Sequence, residues 1–125
     1  MLQIDHSSRK PIYEQICEQI ILMISSESLK ANEKIPSVRA LSVQLSVNPN
    51  TIQRAYTDLC QSGVLYSVGG KGCFVSENAK NTILKNAQKS LDEFCLYTEK
   101  MRISGVKAEI LKQEIDKIYN NGGIN

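Results

Sequence analysis

The chain is expected to be mainly α-helical with one small β-hairpin, arranged as a three-helix head closed by the hairpin and followed by a short two-helix tail. Three observations predict this. Apolar residues recur every three or four positions in separate stretches. Glycines crowd between two short β-prone runs at 64–66 and 73–75. The character of the chain changes after Val75, where a polar stretch leads into heptad-like spacing.

Residues 1–10 hold Asp5, His6, Ser7, Ser8, Arg9 and Lys10 and read as an extended lead-in. Pro11 suits a first helical position, with Ser8 upstream as a cap. From there Ile12, Ile16, Ile20, Met23 and Ile24 form one stripe, and Glu14, Gln15, Glu18 and Gln19 take the other side. That stripe marks a scaffold helix facing a core. Residues 25–34 read as a polar connection in which Leu29 folds back and Ile35 leads onward. Val38, Leu41 and Leu45 then make a short amphipathic helix beginning at Pro36-Ser37, with Arg39 on its exposed side.

Only Ser46-Val47 separate this helix from Asn48-Pro49, where an Asn cap precedes a proline suited to the first helical position. Ile52, Ala55, Tyr56 and Leu59 form the apolar face of the third helix, which stops at Ser62-Gly63. Its other face carries Asn50, Thr51, Gln53, Arg54 and Thr57. These are amides, hydroxyls and a guanidinium rather than the Lys/Glu mixture of an ordinary solvated helix. Asn and Gln pair bidentately with adenine, Arg pairs with guanine, and Thr touches a thymine methyl or a phosphate. Val64-Leu65-Tyr66 and Cys73-Phe74-Val75 flank Gly69-Gly70-Lys71-Gly72 and read as a hairpin. The glycine run is not a phosphate-cradling nucleotide loop, since no helix opening on Lys-Ser/Thr follows it. Two helices joined so closely, then a hairpin, make a winged helix-turn-helix.

In the tail, Leu84, Ala87, Leu91, Phe94, Thr98 and Met101 follow spacings of three and four, and 102–105 interrupt them. Ala108, Leu111, Ile115 and Ile118 form a second stripe ending before Asn120-Asn121-Gly122-Gly123. Two helices this short do not bury both stripes on each other and stay stable alone. The expected partner is the same segment of a second copy, with Leu84, Leu91, Phe94, Met101, Leu111 and Ile115 at the interface; the alternative is folding back onto the chain's own head. The expected organisation is a head over 1–76, a hinge over 77–80, a helical dimerisation region over 81–120 and a disordered tail over 121–125.

Pro36-Ser37-x-Arg39-x-Leu41, Asn48-Pro49-Asn50-Thr51-Ile52-Gln53-Arg54-Ala55-Tyr56, Gly63-x-Leu65 and Gly70-Lys71-Gly72-x-Phe74-Val75 resemble the DNA-binding half of the GntR family of bacterial transcription factors, most nearly its YtrA-type branch. The resemblance covers about the first three-fifths of the chain. It implies DNA contacts at Arg39, along the helix start with Asn48, Pro49, Asn50, Thr51, Gln53 and Arg54, and at the wing tip Gly70 and Lys71. Asn50, Gln53 and Arg54 are the expected base readers, while Ser37, Arg39, Thr51 and Lys71 fall to phosphates or the groove rim. It further implies a two-helix dimerising tail, a palindromic double-stranded operator, repression of the chain's own operon, and neighbouring genes for an ABC transporter. Many relatives carry Arg where this chain has Pro49, and basic residues or a hydroxyl where it has Val68, Gly69 and Cys73, so phosphate anchoring at this wing is expected to be weaker.

At 125 residues the chain buries one modest core plus an appendage. Its 15 basic and 13 acidic residues leave a net charge of only +2. Any positive field must therefore come from placement, with Arg9, Lys10, Lys34, Arg39, Arg54 and Lys71 as the groups able to converge. No apolar run approaches the ~20 residues of a membrane span, and the first residues do not resemble a secretion signal, so a cytoplasmic protein is expected. Cys17, Cys60, Cys73 and Cys95 are scattered and His6 is the single histidine, which excludes metal-ligand spacing and assigns no cofactor. Cys17 and Cys60 read as small core residues, with a redox-sensing thiol at Cys73 or Cys95 as the sharper alternative. Enzyme chemistry finds no paired carboxylates and no nucleophile beside a base. A protein-interaction adaptor built on the same fold is the remaining rival, and any small-molecule effector is left open.

Overall fold

A computed structural model of the protein describes residues 2–121. In chain order it forms α1 (Ile12–Ser25), α2 (Val38–Leu45), α3 (Pro49–Gln61), β1 (Leu65–Val68), β2 (Gly72–Val75), α4 (Ala79–Ile103) and α5 (Ala108–Asn121). Two compact units divide between Asn86 and Ala87. Apart from Asn121, the tail expected over 121–125 lies outside the described residues.

In the first unit, α3 is the hub. Its stripe of Ile52, Ala55, Tyr56 and Leu59 is buried against Ile16, Ile20 and Ile24 of α1, Leu41 of α2, and Val64, Leu65 and Val75 around the hairpin. Burying a large apolar side chain contributes about 1.5–3 kcal/mol. Tyr56 adds a polar tie, its hydroxyl donating to the Pro36 carbonyl at 2.7 Å. Burial raises the Tyr56 phenol above its ordinary value, so it stays a donor. Two turns of α4 also belong here: Ala79 is buried, and Asn86 donates to the Ser62 carbonyl at 3.3 Å.

The hairpin is antiparallel and pairs Leu65 with Val75 and Val68 with Gly72. It runs closer to its turn than expected from sequence, because Val68 stays extended and Gly72, at φ 110°, joins the ladder. Tyr66 and Phe74 pair across the strands with rings stacked 5.5 Å apart. The second edge of β2 is occupied too. Ile35 donates to the Cys73 carbonyl at 3.0 Å, and Val75 donates to Glu33 at 2.9 Å. Part of the segment expected to be a plain polar connection thus seals a sheet edge that would otherwise offer unpaired groups.

Two other expectations are corrected at the amino end. Helix α1 starts at Ile12 with Pro11 at its cap position, and Ser8 does not cap it; the Ser8 hydroxyl instead accepts from the Lys10 amide. Gln15 and Gln19, assigned from sequence to the polar face, hold the lead-in against the helix. The Gln15 amide accepts from the Asp5 N–H at 2.9 Å and donates to the Asp5 and Lys10 carbonyls at 3.0 and 2.9 Å. Gln19 makes the same reciprocal pair with Gln3. Leu2 and Ile4 are thereby laid onto the core.

Replacing Gln15, only 8% exposed, by Ala strands these groups of the lead-in. Gln15→Ala is expected to cost about 1–3 kcal/mol, read as a lower urea midpoint at unchanged slope.

Candidate nucleic-acid interface

The exposed face of α3 is set up by its first turn. Asn48 accepts the Asn50 amide at 2.8 Å through its side chain, and Pro49 takes the first helical position. The connection from α2 is held from both ends. Ser37 caps α2 by accepting from the Ala40 amide at 3.0 Å. Ser46 turns the chain in the left-handed conformation at φ 55°, and buried Ser42 donates to the Val47 carbonyl at 2.6 Å. These fixed corners present α3 outward.

Asn48, Pro49, Asn50, Gln53 and Arg54 are exposed, and Thr51 is half-buried. Gln53 donates to Thr57 one turn on at 3.2 Å, so the two form a small polar ridge. A groove of about 270 Å³ separates this flank of α3 from the wing, and it brings together Ser37, Gln53, Ser67, Gly69 and Gly70. Arg39 and Lys71 are exposed outside its lining. Of the basic residues able to converge, Lys10 is held by Glu18 at 2.8 Å. The Lys34 chain lies against Gly72, where an added Cβ would meet its Cε at 3.1 Å.

Arg54, an expected base reader, is exposed and leans toward α1. Its guanidinium carbon sits 3.7 Å above the centre of the Tyr13 ring, on α1. Asp58 lies one turn further along α3, at a spacing that ordinarily allows an ion pair, yet no Arg54 pair occurs among the described residues. The magnitudes agree with that choice. An exposed cation–π contact contributes about 0.5–1 kcal/mol, against roughly 0.3–0.5 kcal/mol for an exposed helical ion pair. Tyr13 is the residue sequence reading missed, and no local pattern marks a ring that meets its partner only after folding.

The thiols fit packing roles at two positions. Burial pushes Cys17 up to about 11, and burial with the neighbouring Cys73 thiol pushes Cys60 up to about 11. Cys73 is half-buried and Cys95 exposed. In the tail, Leu84, Leu91, Phe94 and Ile115 are exposed, while Met101 and Leu111 are half-buried. Leu96, Tyr97, Ile110 and Tyr119, outside the expected stripes, are exposed as well. Helix α4 continues to Ile103, where Gly105 at φ 90° ends it and Val106 donates back to Met101 at 3.0 Å.

A family profile described as bacterial regulatory proteins, gntR family, matches residues 12–75. The HTH-type transcriptional repressor YtrA of Bacillus subtilis is 39% identical over 93 residues, covering 74% of this chain and 72% of that protein. A GntR family transcriptional regulator from Listeria monocytogenes superposes with a TM-score of 0.67 at 34% identity, over 91% of this chain and 98% of the other. The DNA-binding domain of AraR in complex with operator ORX1 superposes at 0.54 with 36% identity, over 60% of this chain and 93% of that one.

Asn48→Ala removes the side chain that caps α3. The expected loss is about 1 kcal/mol, measured as a lower thermal midpoint with helix content retained in the cold.

Proposed function

The chain belongs to the gntR family of bacterial regulatory proteins, and from that premise we propose that this DNA-binding transcriptional regulator works as a homodimeric repressor of its own operon. The observation that carries the proposal is the capped amide and hydroxyl face of α3, left in water beside a groove that runs to the wing. Asn50 and Gln53 stand in the first turns of that helix, where base edges are read when such a helix enters the major groove. Arg39, in the first turn of α2, meets the phosphate backbone as that helix crosses it. Ser37 and Thr51 line the rim and Gly70 and Lys71 the wing tip, while Asn48 and Pro49 shape the start of the helix. Repression is the role named for the YtrA relative. Autoregulation and transporter genes among the targets rest on the resemblance to that branch.

Two-fold pairing supplies the second half of the site. A single helix reads too few base pairs for useful affinity, and a palindromic operator mirrors a symmetric dimer. The apolar side chains on α4 and α5, among them Leu91 at 52% and Phe94 at 46% exposure, support a second copy as the partner that covers them.

Footprinting on the DNA upstream of the chain's own gene tests the reading, and protected half-sites about one helical turn apart are expected. Absence of any protection, with the protein folded, would overturn it. Gln53→Ala and Asn50→Ala are each expected to lose about 1–3 kcal/mol of discrimination between operator and random DNA in competition gel shifts. Leu91→Asp with Phe94→Asp should sediment as a folded monomer that binds the palindrome poorly. A wild-type protein already monomeric at micromolar concentration would contradict the dimer.

A further inference from the structure

We propose that Tyr13 is a positioning residue that holds Arg54 as a phosphate contact on the flank of α3 opposite the wing; the inference rests on the DNA-binding reading above. Consecutive residues on a helix point about 100° apart. Gln53 faces the groove shared with the wing, and Arg54 therefore leaves α3 on its other flank, toward α1. A helix lying in the major groove has a phosphate backbone on each side. The wing attends to one of them. Arg39 meets the backbone from α2, and Arg54 is the cation of α3 itself that turns to the flank away from the wing.

The stack decides what Arg54 can do. With its guanidinium carbon 3.7 Å above the ring centre, Arg54 is held at one place beside α1, and among the described residues its N–H donors remain free of any ion pair there. A planar fork of donors matches two phosphate oxygens. The pose also draws the group from the centre of the helix face, where bases are read, to the rim. The surroundings make the ring necessary. Tyr13 lines a surface cleft with Glu14, Glu18 and Asp58, and its hydroxyl lies 3.3 Å from Glu14. Without the ring, Arg54 is free to turn onto Asp58, which would cancel its charge and leave an acidic flank facing the backbone. Tyr13 thus keeps a cation available that its own helix neighbour would otherwise neutralise.

The test is the salt dependence of binding to operator and to random duplex by the full chain, for wild type, Tyr13→Phe, Tyr13→Leu, Arg54→Gln and Tyr13→Leu with Asp58→Asn, each checked for folding by circular dichroism. Each phosphate contact contributes about 0.9 to the slope of log K against log salt. Arg54→Gln and Tyr13→Leu should each lower the slope by about that amount per chain and weaken both duplexes several-fold alike. Tyr13→Phe, which keeps the ring, should match wild type. Adding Asp58→Asn to Tyr13→Leu should restore much of the slope, a rescue that a merely structural role for the ring would not give. Tyr13→Leu that is folded with an unchanged slope overturns the inference. So does Arg54→Gln that loses operator binding alone at constant slope, since that marks a base contact. Wild type that binds neither duplex overturns the DNA-binding reading itself, a different result from either.

Discussion

Helix α3 has to satisfy two solvents at once. Ile52, Ala55, Tyr56 and Leu59 are nearly fully buried, while Asn50, Gln53, Arg54 and Thr57 stay in water on the same thirteen-residue cylinder. A helix of that length is marginal when isolated, so its outward face exists as a defined surface only because the inward face is packed. Every other part of the first unit serves that packing. Helix α1 supplies the isoleucines beneath it, α2 supplies Leu41, and the hairpin closes the end with Leu65 and Val75. The Tyr56 hydroxyl on the Pro36 carbonyl links α3 to the segment entering α2, which fixes the relation between the two helices.

How much of this was legible in the sequence follows from how local each signal is. The Asn48 cap, Pro49 at the first position, the four-residue apolar stripe and the Gly63 stop are each written within one or two turns of chain, and the helix stands where they put it. The hairpin was legible for the same reason, its glycines marking where φ turns positive at Gly70 and Gly72. What stayed hidden depends on partners far apart along the chain. Gln15 and Gln19 look solvated by periodicity, but they hydrogen-bond a backbone that returns alongside them. The segment around Glu33 and Ile35 looks like a polar linker, yet it completes the edge of β2 some forty residues later. Arg54 belongs to this second class: its side chain type suggested a base reader, and its pose is set by a ring on another helix.

The candidate surface shows the same division. Residue types on α3 alone give its chemistry of amides, hydroxyls and a cation. Which flank each one occupies required the neighbours. Gln53 is oriented by Thr57 and the wing groove, Arg54 by α1. Of the six basic residues able to converge, Lys10 is held by Glu18 and the Lys34 stem packs on Gly72, so any positive field falls to the others. Helices α4 and α5 carry a different kind of information. Their apolar residues are legible as stripes, but a stripe names no partner, and a single chain leaves Leu84, Leu91 and Phe94 in water.

Ser46 carries a consequence for substitution at its corner. It joins α2 to α3 at φ 55°, a backbone region that side chains branched at Cβ enter only with strain. Val, Ile or Thr at this corner would therefore strain the short connection, whereas Gly or Asn would sit there more easily than Ser does. The corner thus ties the reach of the connection to the side chain that stands at Ser46.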